Sequence, residues 1–345
     1  MKALVYHSKG KETWDEKQKP VIKDSTDAIV KILKTSICAT DLHIIKGDLP
    51  DITNGRTLGH EGIGIIEEVG SSVRNFITGN HVLISCITSC GKCEYCKKAM
   101  YSKCVKGGWI LGNLIDGTQA EYVRIPYADN SLYLVPANSD EEALVMLSDV
   151  LPTAFECGVL NGKVKSGDTI AIVGAGPIGM AVLLTAKLFY SVEIIMIDKS
   201  DDRLKVAKTN GATHTINSTD ENAVEKLMIL TKAKGVDVAI ETVGIRASFE
   251  LCKAIVCNGG HIANIGVPGK RVILRIDSLM LRKVTISTCI VDTVSIPVLF
   301  KNVQSHKLDA KKLITHHYKL NHIVEAYDAI EHKENGNVLK VILTN

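Results

Sequence analysis

Residues 169–189, TIAIVGAGPIGMAVLLTAKLF, carry the strongest fold signal in the chain. An apolar run, TIAIV, passes directly into a glycine-rich turn, which opens a second apolar stretch with the length of a helix. In such a unit the first glycine permits the tight turn, and the second lets the backbone approach a pyrophosphate. The third glycine lets helix and strand pack closely, and the N–H groups at the helix start face the phosphates. The turn therefore predicts a dinucleotide contact through Gly174, Gly176, Pro177, Ile178 and Gly179.

A carboxylate follows this unit at the spacing expected of a ribose ligand. Asp198 ends the next apolar run, EIIMI, and lies nineteen residues beyond Gly179. We expect its side chain to accept hydrogen bonds from the adenosine ribose hydroxyls and to repel a 2′-phosphate. Asp201 and Asp202 add negative charge nearby. The predicted cofactor is therefore NAD rather than NADP.

The pattern of strands and helices divides the chain. From Asp168 onward short apolar runs alternate with helical stretches, and TISTCI at residues 285–290 has the pattern of a sixth strand. This alternation is typical of an α/β fold with a doubly wound parallel sheet. The first part instead contains short β runs broken by Gly, Pro, Asn and Asp, which predict a compact, barrel-like antiparallel domain. We expect the tail to pack back on that domain. The predicted domains are residues 1–150 with 290–345, and residues 151–289.

Four cysteines lie within fifteen residues in the run CGKCEYCKKAMYSKC. Their C-x2-C-x2-C-x7-C spacing lets four thiolates surround one tetrahedral zinc ion, and five neighbouring lysines offset the negative charge. Four thiolates leave no open coordination position, so this zinc is predicted to be structural. Disulfides are the alternative, but the chain opens on a charged segment without an apolar signal-peptide core, and we expect a reducing, cytoplasmic environment. The predicted ligands, in a lobe at about residues 86–108, are Cys90, Cys93, Cys96 and Cys104.

Composition narrows the class of protein. With 345 residues and 46% hydrophobic content, the chain is large enough to bury one full core and, we expect, two. The formal net charge is only +3 and the basic residues are scattered, which argues against nucleic acid as the main partner. No apolar run approaches 18 residues, so we expect no membrane span.

Three further residues are candidate metal ligands, although a single Cys or His on an apolar segment is more typical of a core. Cys38 ends the run KILKTSI, and His60 lies in LGHEG, where glycines allow a ligand to approach closely. Asp149 is isolated in the sequence. It is the combination with the surrounding motifs that gives these residues weight.

Together these motifs resemble those of the medium-chain, zinc-dependent alcohol dehydrogenases. The run GHEGIG at residues 59–64, followed by Gly70 and Val73, is similar to the zinc signature of that family. The run CATDLH at residues 38–43, the cysteine lobe and the GAGPIG turn follow in the family's order, and the similarity extends over essentially the whole chain. The resemblance implies a GroES-like β-barrel catalytic domain and a Rossmann cofactor domain.

The resemblance also implies roles for single residues. Cys38, His60 and Asp149 would bind a catalytic zinc, with Asp149 in the motif SDVLPT that the tetrameric microbial members use for the third ligand. Glu61 resembles the glutamate that can enter or leave the coordination shell. Asp41 resembles the carboxylate that orients the histidine ligand.

Five other residues receive a role from the same resemblance. Thr40 matches the hydroxyl that takes the alcohol proton, and His43 matches the outer end of the proton relay. Thr153 matches a residue that packs behind the nicotinamide ring, and Arg203 is expected to lie against the adenine. Trp109 resembles a substrate-pocket tryptophan of some secondary-alcohol members, with a packed core tryptophan as the equal alternative.

The chain departs from the liver-type relatives at two points. Ala39 stands where those relatives have an arginine that pairs with the cofactor pyrophosphate. We therefore expect pyrophosphate binding to rely on the helix N-terminus and on Lys340. The chain also lacks the longer insertion of the dimeric liver enzymes, which favours a homotetramer.

The implied activity is that of an NAD-dependent enzyme with two zinc ions, interconverting small primary or secondary alcohols with aldehydes or ketones by hydride transfer. A three-ligand zinc is a Lewis acid that lowers the pKa of a bound alcohol. A polyol or threonine dehydrogenase would carry the same zinc and cofactor residues and is the main alternative. A non-catalytic zinc protein is disfavoured because the second ligand set is present. A zinc-free quinone reductase would normally lack Cys38, His60 and the cysteine lobe.

Overall fold

The computed structural model describes residues 1–345 except 50, 191, 268, 270 and 333–337. The described chain divides into two compact units. The first consists of Met1–Asp149, Asp292–His306 and Ile314–Asn345, and the second of Val150–Val291 and Lys307–Leu313. The short segment 307–313 therefore groups with the second unit, although it lies within the tail that the sequence assigns to the first.

The first unit begins with short strands and shorter helices. The strands are β1 (Lys2–Ser8), β2 (Lys11–Glu16), β3 (Ala28–Ser36), β4 (Arg56–Thr57), β5 (Gly62–Val69), β6 (His81–Ile84), β7 (Tyr122–Ile125) and β8 (Leu132–Leu134). The helices are α1 (Ala39–Ile45), α2 (Ala128–Ser131) and α3 (Glu141–Val145), with 3-10 turns at Cys96–Lys98 and Tyr101–Lys103. β2 pairs antiparallel with β1. The pattern of apolar runs does not predict β2, because its sequence KETWDE has only one large apolar residue.

The second unit alternates strands with helices, as the sequence predicts. Its strands are β9 (Thr169–Val173), β10 (Glu193–Asp198), β11 (His214–Asn217), β12 (Val236–Glu241), β13 (Val256–Asn264) and β14 (Thr285–Thr288). Its helices are α4 (Val150–Thr153), which continues as a π-helix over Ala154–Leu160, α5 (Pro177–Ala186), α6 (Asp201–Thr209), α7 (Ala223–Leu230), α8 (Arg246–Ile255) and α9 (Ile276–Leu281). A 3-10 turn at Ala310–Leu313 also belongs to this unit.

The chain then returns to the first unit and completes its sheet. The returning elements are α10 (Ile296–Gln304), β15 (Ile314–Lys319), a 3-10 turn at Leu320–His322, α11 (Ile323–His332) and β16 (Lys340–Thr344). In the described residues the larger sheet has the order β15-β16-β3-β5-β6-β8 with β7 paired to β3, and the smaller has the order β2-β1-β4. β16 pairs antiparallel with β3, so the tail packs on the first unit as the sequence predicts.

An apolar cluster in the first unit supports the site described below. It joins Leu4 of β1, Ile44 of α1, Tyr327 of α11 and Leu343 of β16, all of which are buried. Because α1 and α11 pack into the same cluster, side chains far apart in sequence meet under the start of α1. Burial of such aliphatic side chains contributes roughly 1.5–3 kcal/mol each, which stabilises this part of the fold.

In the second unit the described strands form one parallel sheet in the order β11-β10-β9-β12-β13-β14. The central strand β9 is buried along Ile170–Val173, as expected of a parallel strand with both faces covered. Gly174 follows it with a φ of +108°, and a Cβ at Gly179 would lie 1.7 Å from Gly174 O. Both positions therefore require glycine, which explains the turn predicted from the sequence. No helix in the described part of the chain has the length and apolar character needed to cross a membrane.

Candidate active site

The structure brings the dispersed candidate ligands together in the first unit. Cys38 precedes α1, His60 precedes β5, and Asp149 is the last residue before α4. One donor atom from each of Cys38, His60, Glu61 and Asp149 lies within 4.8 Å of the others. Cys38 Sγ and His60 Nε2 each lie 3.5 Å from Asp149 Oδ2. A thiol, an imidazole and carboxylates at this spacing match the donor set of zinc.

Asp41 orients the imidazole of His60. It also caps α1, the helix on which Asp41 itself lies. Its Oδ2 accepts the backbone N–H of Cys38 at 2.9 Å, which closes the first turn of α1. Its Oδ1 lies 3.5 Å from His60 Nδ1, and both atoms are buried without a hydrogen-bond partner among the described residues. The imidazole therefore turns Nε2 toward the ligand cluster. Burial lowers the pKa of His60, but the charges of Asp41 and Cys38 outweigh burial and raise the pKa well above its usual value.

Lys340 lies under the ligand cluster, where it forms an ion pair with Glu61. Its Nζ donates to Glu61 Oε1 at 2.8 Å, to Oε2 at 2.7 Å and to Ile37 O at 2.9 Å. The two side chains are only 2% and 1% exposed. Burial lowers the pKa of Lys340, but the Glu61 charge outweighs it and the pKa is raised. The ammonium has three donors and all are used, which contradicts the predicted pyrophosphate contact: Lys340 neutralises a buried carboxylate instead.

The predicted relay residues occupy one face of α1. Thr40 is half-buried, and its Oγ1 lies 3.7 Å from Cys38 Sγ. His43 is exposed, and its Nδ1 lies 2.8 Å from Asp48 Oδ2. Residues three apart on a helix lie on the same side, so the pair leads from the ligand cluster toward solvent.

Trp109 contacts the site and a core at the same time. Its ring stands edge-on to His60, with ring centroids 6.3 Å apart and planes inclined by 81°. The half-buried indole also packs against the apolar cluster of Leu4 and Tyr327. The two interpretations of Trp109 are therefore compatible: the ring is core packing on one side and lies beside the ligand cluster on the other.

The cysteine lobe is assembled for a metal ion. The sulfur atoms of Cys90, Cys93, Cys96 and Cys104 all lie within 4.8 Å of one another. Backbone N–H groups of Cys96 and Val105 lower the pKa of Cys93 to about 6, whereas burial raises the pKa of Cys96 to about 12. A set of four sulfurs at this separation fits a closed tetrahedral zinc site.

The residues predicted to bind the dinucleotide lie in the second unit. Asp198 ends β10, and its carboxylate accepts N–H groups from Ala175 at 2.7 Å and Ser200 at 2.8 Å. The acid thus fixes the glycine turn from behind while each oxygen keeps a lone pair for a ribose hydroxyl. Arg203 is half-buried in the first turn of α6, and the half-buried Thr153 ends α4.

Comparison with known proteins agrees with this geometry. Residues 24–137 match the family described as the alcohol dehydrogenase GroES-like domain. Residues 177–304 match the family described as zinc-binding dehydrogenase. An alcohol dehydrogenase of Cupriavidus necator is 33% identical, over 99% of this chain and 98% of that protein. The chain belongs to the zinc-type alcohol dehydrogenase family.

Two further relatives show how widely the zinc-type alcohol dehydrogenase fold is shared. The zinc-dependent alcohol dehydrogenase 2 of Streptococcus pneumoniae, solved in its apo form, has a TM-score of 0.95 and 50% identity, covering 100% of this chain and 98% of that one. A sorbitol dehydrogenase of Bacillus subtilis is 30% identical over 99% of this chain and 97% of that protein. The expected fold class, a GroES-like domain with a Rossmann cofactor domain, is thereby confirmed.

This alcohol dehydrogenase is a zinc-dependent oxidoreductase, and both donor sets fit their metal. Among the residues that the structure describes, the lobe offers four sulfurs and no other ligand, which suits a structural zinc. The Cys38 cluster offers nitrogen, sulfur and oxygen, with a buried Asp41–His60 pair behind the imidazole, which suits a catalytic zinc.

The sequence motifs of the dehydrogenase did not reveal Cys86. Its side chain is only 2% exposed, its Sγ lies 3.6 Å from Asp149 Oδ1, and its backbone N–H donates to Ser148 O at 3.0 Å. Burial raises the pKa of the Cys86 thiol well above its usual value, so the group is a neutral neighbour of Asp149. One signal was available: Cys86 follows the strand HVLIS, just as Cys38 follows the strand KILKTSI.

Proposed function

We propose that this zinc-type alcohol dehydrogenase interconverts small primary or secondary alcohols with aldehydes or ketones, using NAD as the hydride carrier. The observation that carries the proposal is the cluster of Cys38, His60 and Asp149, with the Thr40 hydroxyl 3.7 Å from Cys38 Sγ. We assign catalysis to residues 1–150 with 290–345 and cofactor binding to residues 151–289.

A zinc ion held by Cys38, His60 and Asp149 would supply a Lewis acid that lowers the pKa of the substrate hydroxyl, and a bound NAD would supply the hydride acceptor. The protein supplies position and a path for the proton. Thr40 Oγ1 accepts the proton of the alcohol as it releases its own hydroxyl proton outward, and the exposed His43 is the end of this relay at solvent. The edge of Trp109 beside His60 restricts the space next to the ligand cluster, so the ring borders the substrate pocket.

Cofactor choice rests on Asp198. We assign its carboxylate to the adenosine ribose, where it accepts a hydroxyl hydrogen bond and repels a 2′-phosphate. The exposed Asp201 and Asp202 at the start of α6 add negative charge, and Arg203 in the same turn packs against the adenine. We assign the pyrophosphate contacts to the turn of Gly174, Gly176, Pro177, Ile178 and Gly179. Thr153 packs behind the nicotinamide ring.

The choice between simple alcohols and polyols or threonine is tested by initial rates. Ethanol, 2-propanol, butanediol, sorbitol and threonine are compared, each with NAD+ and with NADP+. We expect the highest kcat/KM for a simple alcohol with NAD+. Preference for sorbitol, the substrate in the name of the Bacillus subtilis relative, would instead assign the chain to the polyol enzymes.

We further propose a homotetramer. Support comes from the segment that leads to β14, the edge strand of the parallel sheet in the described residues. This segment exposes large apolar side chains that a monomer would leave in water. They are Val267, Ile273, Leu274, Ile276, Met280 and Leu281, and Ile290 just after the strand is exposed as well. Light scattering should give four times the 37.4 kDa chain mass, and Leu281→Glu should give smaller species.

We propose a cytoplasmic location on the state of the cysteines. The ten cysteines form no disulfide, and eight of them lie in the zinc-ligand sets or in buried positions elsewhere. Cysteines outside disulfides in this number suit a reducing compartment. Fractionation of the native host cells, followed by immunoblotting, tests this assignment.

A further inference from the structure

A chain of buried polar side chains connects α11 to Asp41. Tyr327 Oη donates to Gln119 Oε1 at 2.9 Å. Gln119 Nε2 in turn donates to Asp41 Oδ2 at 3.0 Å and to Ser36 O at 3.2 Å. Tyr327, Gln119 and Asp41 are 1%, 0% and 1% exposed, so no solvent competes for these bonds. Such a buried network is strong only when every member is satisfied.

The network leaves Gln119 only one orientation. Two acceptors, Asp41 Oδ2 and Ser36 O, face its amide nitrogen, which has two hydrogens to donate. The phenol faces its amide oxygen, and burial raises the pKa of Tyr327 well above its usual value, so the phenol remains a donor. A flipped amide would set oxygen against two acceptors and NH2 against a donor.

The two carboxylate oxygens of Asp41 make different contacts. Oδ2 accepts from Gln119 Nε2 and from the backbone N–H of Cys38. Oδ1 has no hydrogen-bond partner among the described residues and lies 3.5 Å from His60 Nδ1. The fixed Oδ2 therefore holds Oδ1 at the imidazole, which keeps a hydrogen on Nδ1 and leaves Nε2 as the ring nitrogen that faces the ligand cluster.

Gly59 provides an independent sign that Gln119 is built into the site. Its φ is +92°, and a Cβ there would lie 2.6 Å from Gln119 Cγ and 2.8 Å from Gln119 N. Only glycine lets the loop that carries His60 approach Gln119 so closely. The turn before the histidine ligand is thus shaped around the Gln119 side chain.

We propose that Gln119 and Tyr327 are positioning residues that hold Asp41 against His60 and thereby set the zinc affinity of the catalytic site. Neither side chain belongs to the ligand set, and they act through Asp41. The inference rests on the proposed zinc site at Cys38, His60 and Asp149. Its expected signature is a change confined to that zinc, with the zinc of the cysteine lobe unaffected.

The test compares Gln119→Met and Tyr327→Phe with two matched controls. Thr118→Val removes a neighbouring buried hydroxyl whose Oγ1 lies 3.2 Å from Thr35 Oγ1 and which makes no hydrogen bond to Asp41 among the described residues. Tyr318→Phe removes a phenol from the same apolar cluster as Tyr327. Zinc removal by a chelator of known affinity is followed for each full-length protein. Cobalt is then substituted at the catalytic site and its visible spectrum recorded.

Loss of an outer hydrogen-bond partner of a metal ligand typically costs 10–100-fold in metal affinity, and we expect about this increase in the catalytic-zinc Kd for Gln119→Met. For Tyr327→Phe we expect about fivefold, equivalent to one neutral hydrogen bond. The cobalt spectrum should shift in both variants and stay unchanged in Thr118→Val and Tyr318→Phe. Should Gln119→Met fail to fold, Tyr327→Phe decides the question by the same two measurements.

The inference would be overturned if Gln119→Met and Tyr327→Phe both kept the wild-type Kd for the catalytic zinc and the wild-type cobalt spectrum. It would also be overturned if Thr118→Val and Tyr318→Phe showed changes of the same size. A wild-type protein that binds zinc only in the lobe would instead overturn the zinc assignment on which the inference rests. The two failures are distinguished by the zinc content of the wild-type protein.

Discussion

Replacing Lys340 with methionine removes the charge from a buried ion pair while keeping an unbranched side chain that is one atom shorter. In the wild type, the Lys340 ammonium contacts both oxygens of Glu61, at 2.8 and 2.7 Å. The Glu61 carboxylate is 1% exposed, so it cannot turn to solvent when the ammonium is lost. The variant therefore leaves a buried carboxylate without its hydrogen-bonded cation.

The size of the effect follows from this burial. Breaking a buried ion pair by removing one partner costs about 3–5 kcal/mol, because the remaining charge is uncompensated. In a unit of this size each kcal/mol lowers Tm by roughly 2–4 °C. We therefore expect Lys340→Met to lower the Tm of the metal-free protein by roughly 6–20 °C. Zinc brings positive charge close to Glu61, so the loss should be smaller in the zinc-loaded protein.

Thermal unfolding of the metal-free and zinc-loaded forms measures the effect. The double variant Glu61→Gln/Lys340→Met is the control, since it removes both charges and should recover most of the lost Tm. The KM for NAD+ is measured in parallel, and we expect little change. A Tm within about 2 °C of wild type, together with a large rise in the KM for NAD+, would show that Lys340 binds the pyrophosphate rather than stabilising Glu61.

Three further predictions address the zinc ions, the proton relay and the cofactor. Cys38→Ser should abolish turnover and leave one zinc per chain. Cys104→Ser should instead lower Tm, because the lobe depends on metal for its folding energy. Metal analysis that gives one zinc per wild-type chain would contradict both expectations. Thr40→Ala should lower kcat by roughly 10²-fold or more, because a positioned proton acceptor is lost, while Thr40→Ser keeps most activity; a near wild-type rate for the alanine variant excludes Thr40 from the relay. In the wild type we expect kcat/KM with NAD+ to exceed kcat/KM with NADP+ on the order of 10²-fold, because a charge-assisted hydrogen bond to the ribose contributes about 1.5–3 kcal/mol. Asp198→Gly should lower kcat/KM with NAD+ more than with NADP+ and so narrow this difference. Equal wild-type efficiency with the two cofactors would show that Asp198 is misplaced.

The features that sequence predicts well are local ones. The spacing of Cys90, Cys93, Cys96 and Cys104 already limits how far the sulfurs can separate, and the structure places them within 4.8 Å. The glycine turn after β9 is equally local, because its backbone angles and close approaches arise within a few residues. The alternation of strand and helix in the second unit follows from the same short-range periodicity.

The ligands Cys38, His60 and Asp149 form an intermediate case. Each one alone is indistinguishable from a core residue, and their assignment came from the order of motifs along the whole chain. Cys86 shows the limit of that approach: it lies as close to Asp149 as Cys38 does, but no motif marks it.

The strand–turn–helix unit, the cysteine lobe and the family resemblance can be recognised from the sequence, because each depends on neighbours along the chain. The contacts of Lys340, Gln119 and Tyr327 are visible only in the folded structure. Lys340 meets Glu61 across 279 residues and Tyr327 meets Gln119 across 208 residues. These contacts depend on the register of β16 against β3 and on the packing of α1 and α11 into one apolar cluster, which arise from cooperative burial of apolar side chains. A buried charge or amide without a hydrogen-bond partner costs free energy, so it binds the polar groups that this packing brings next to it.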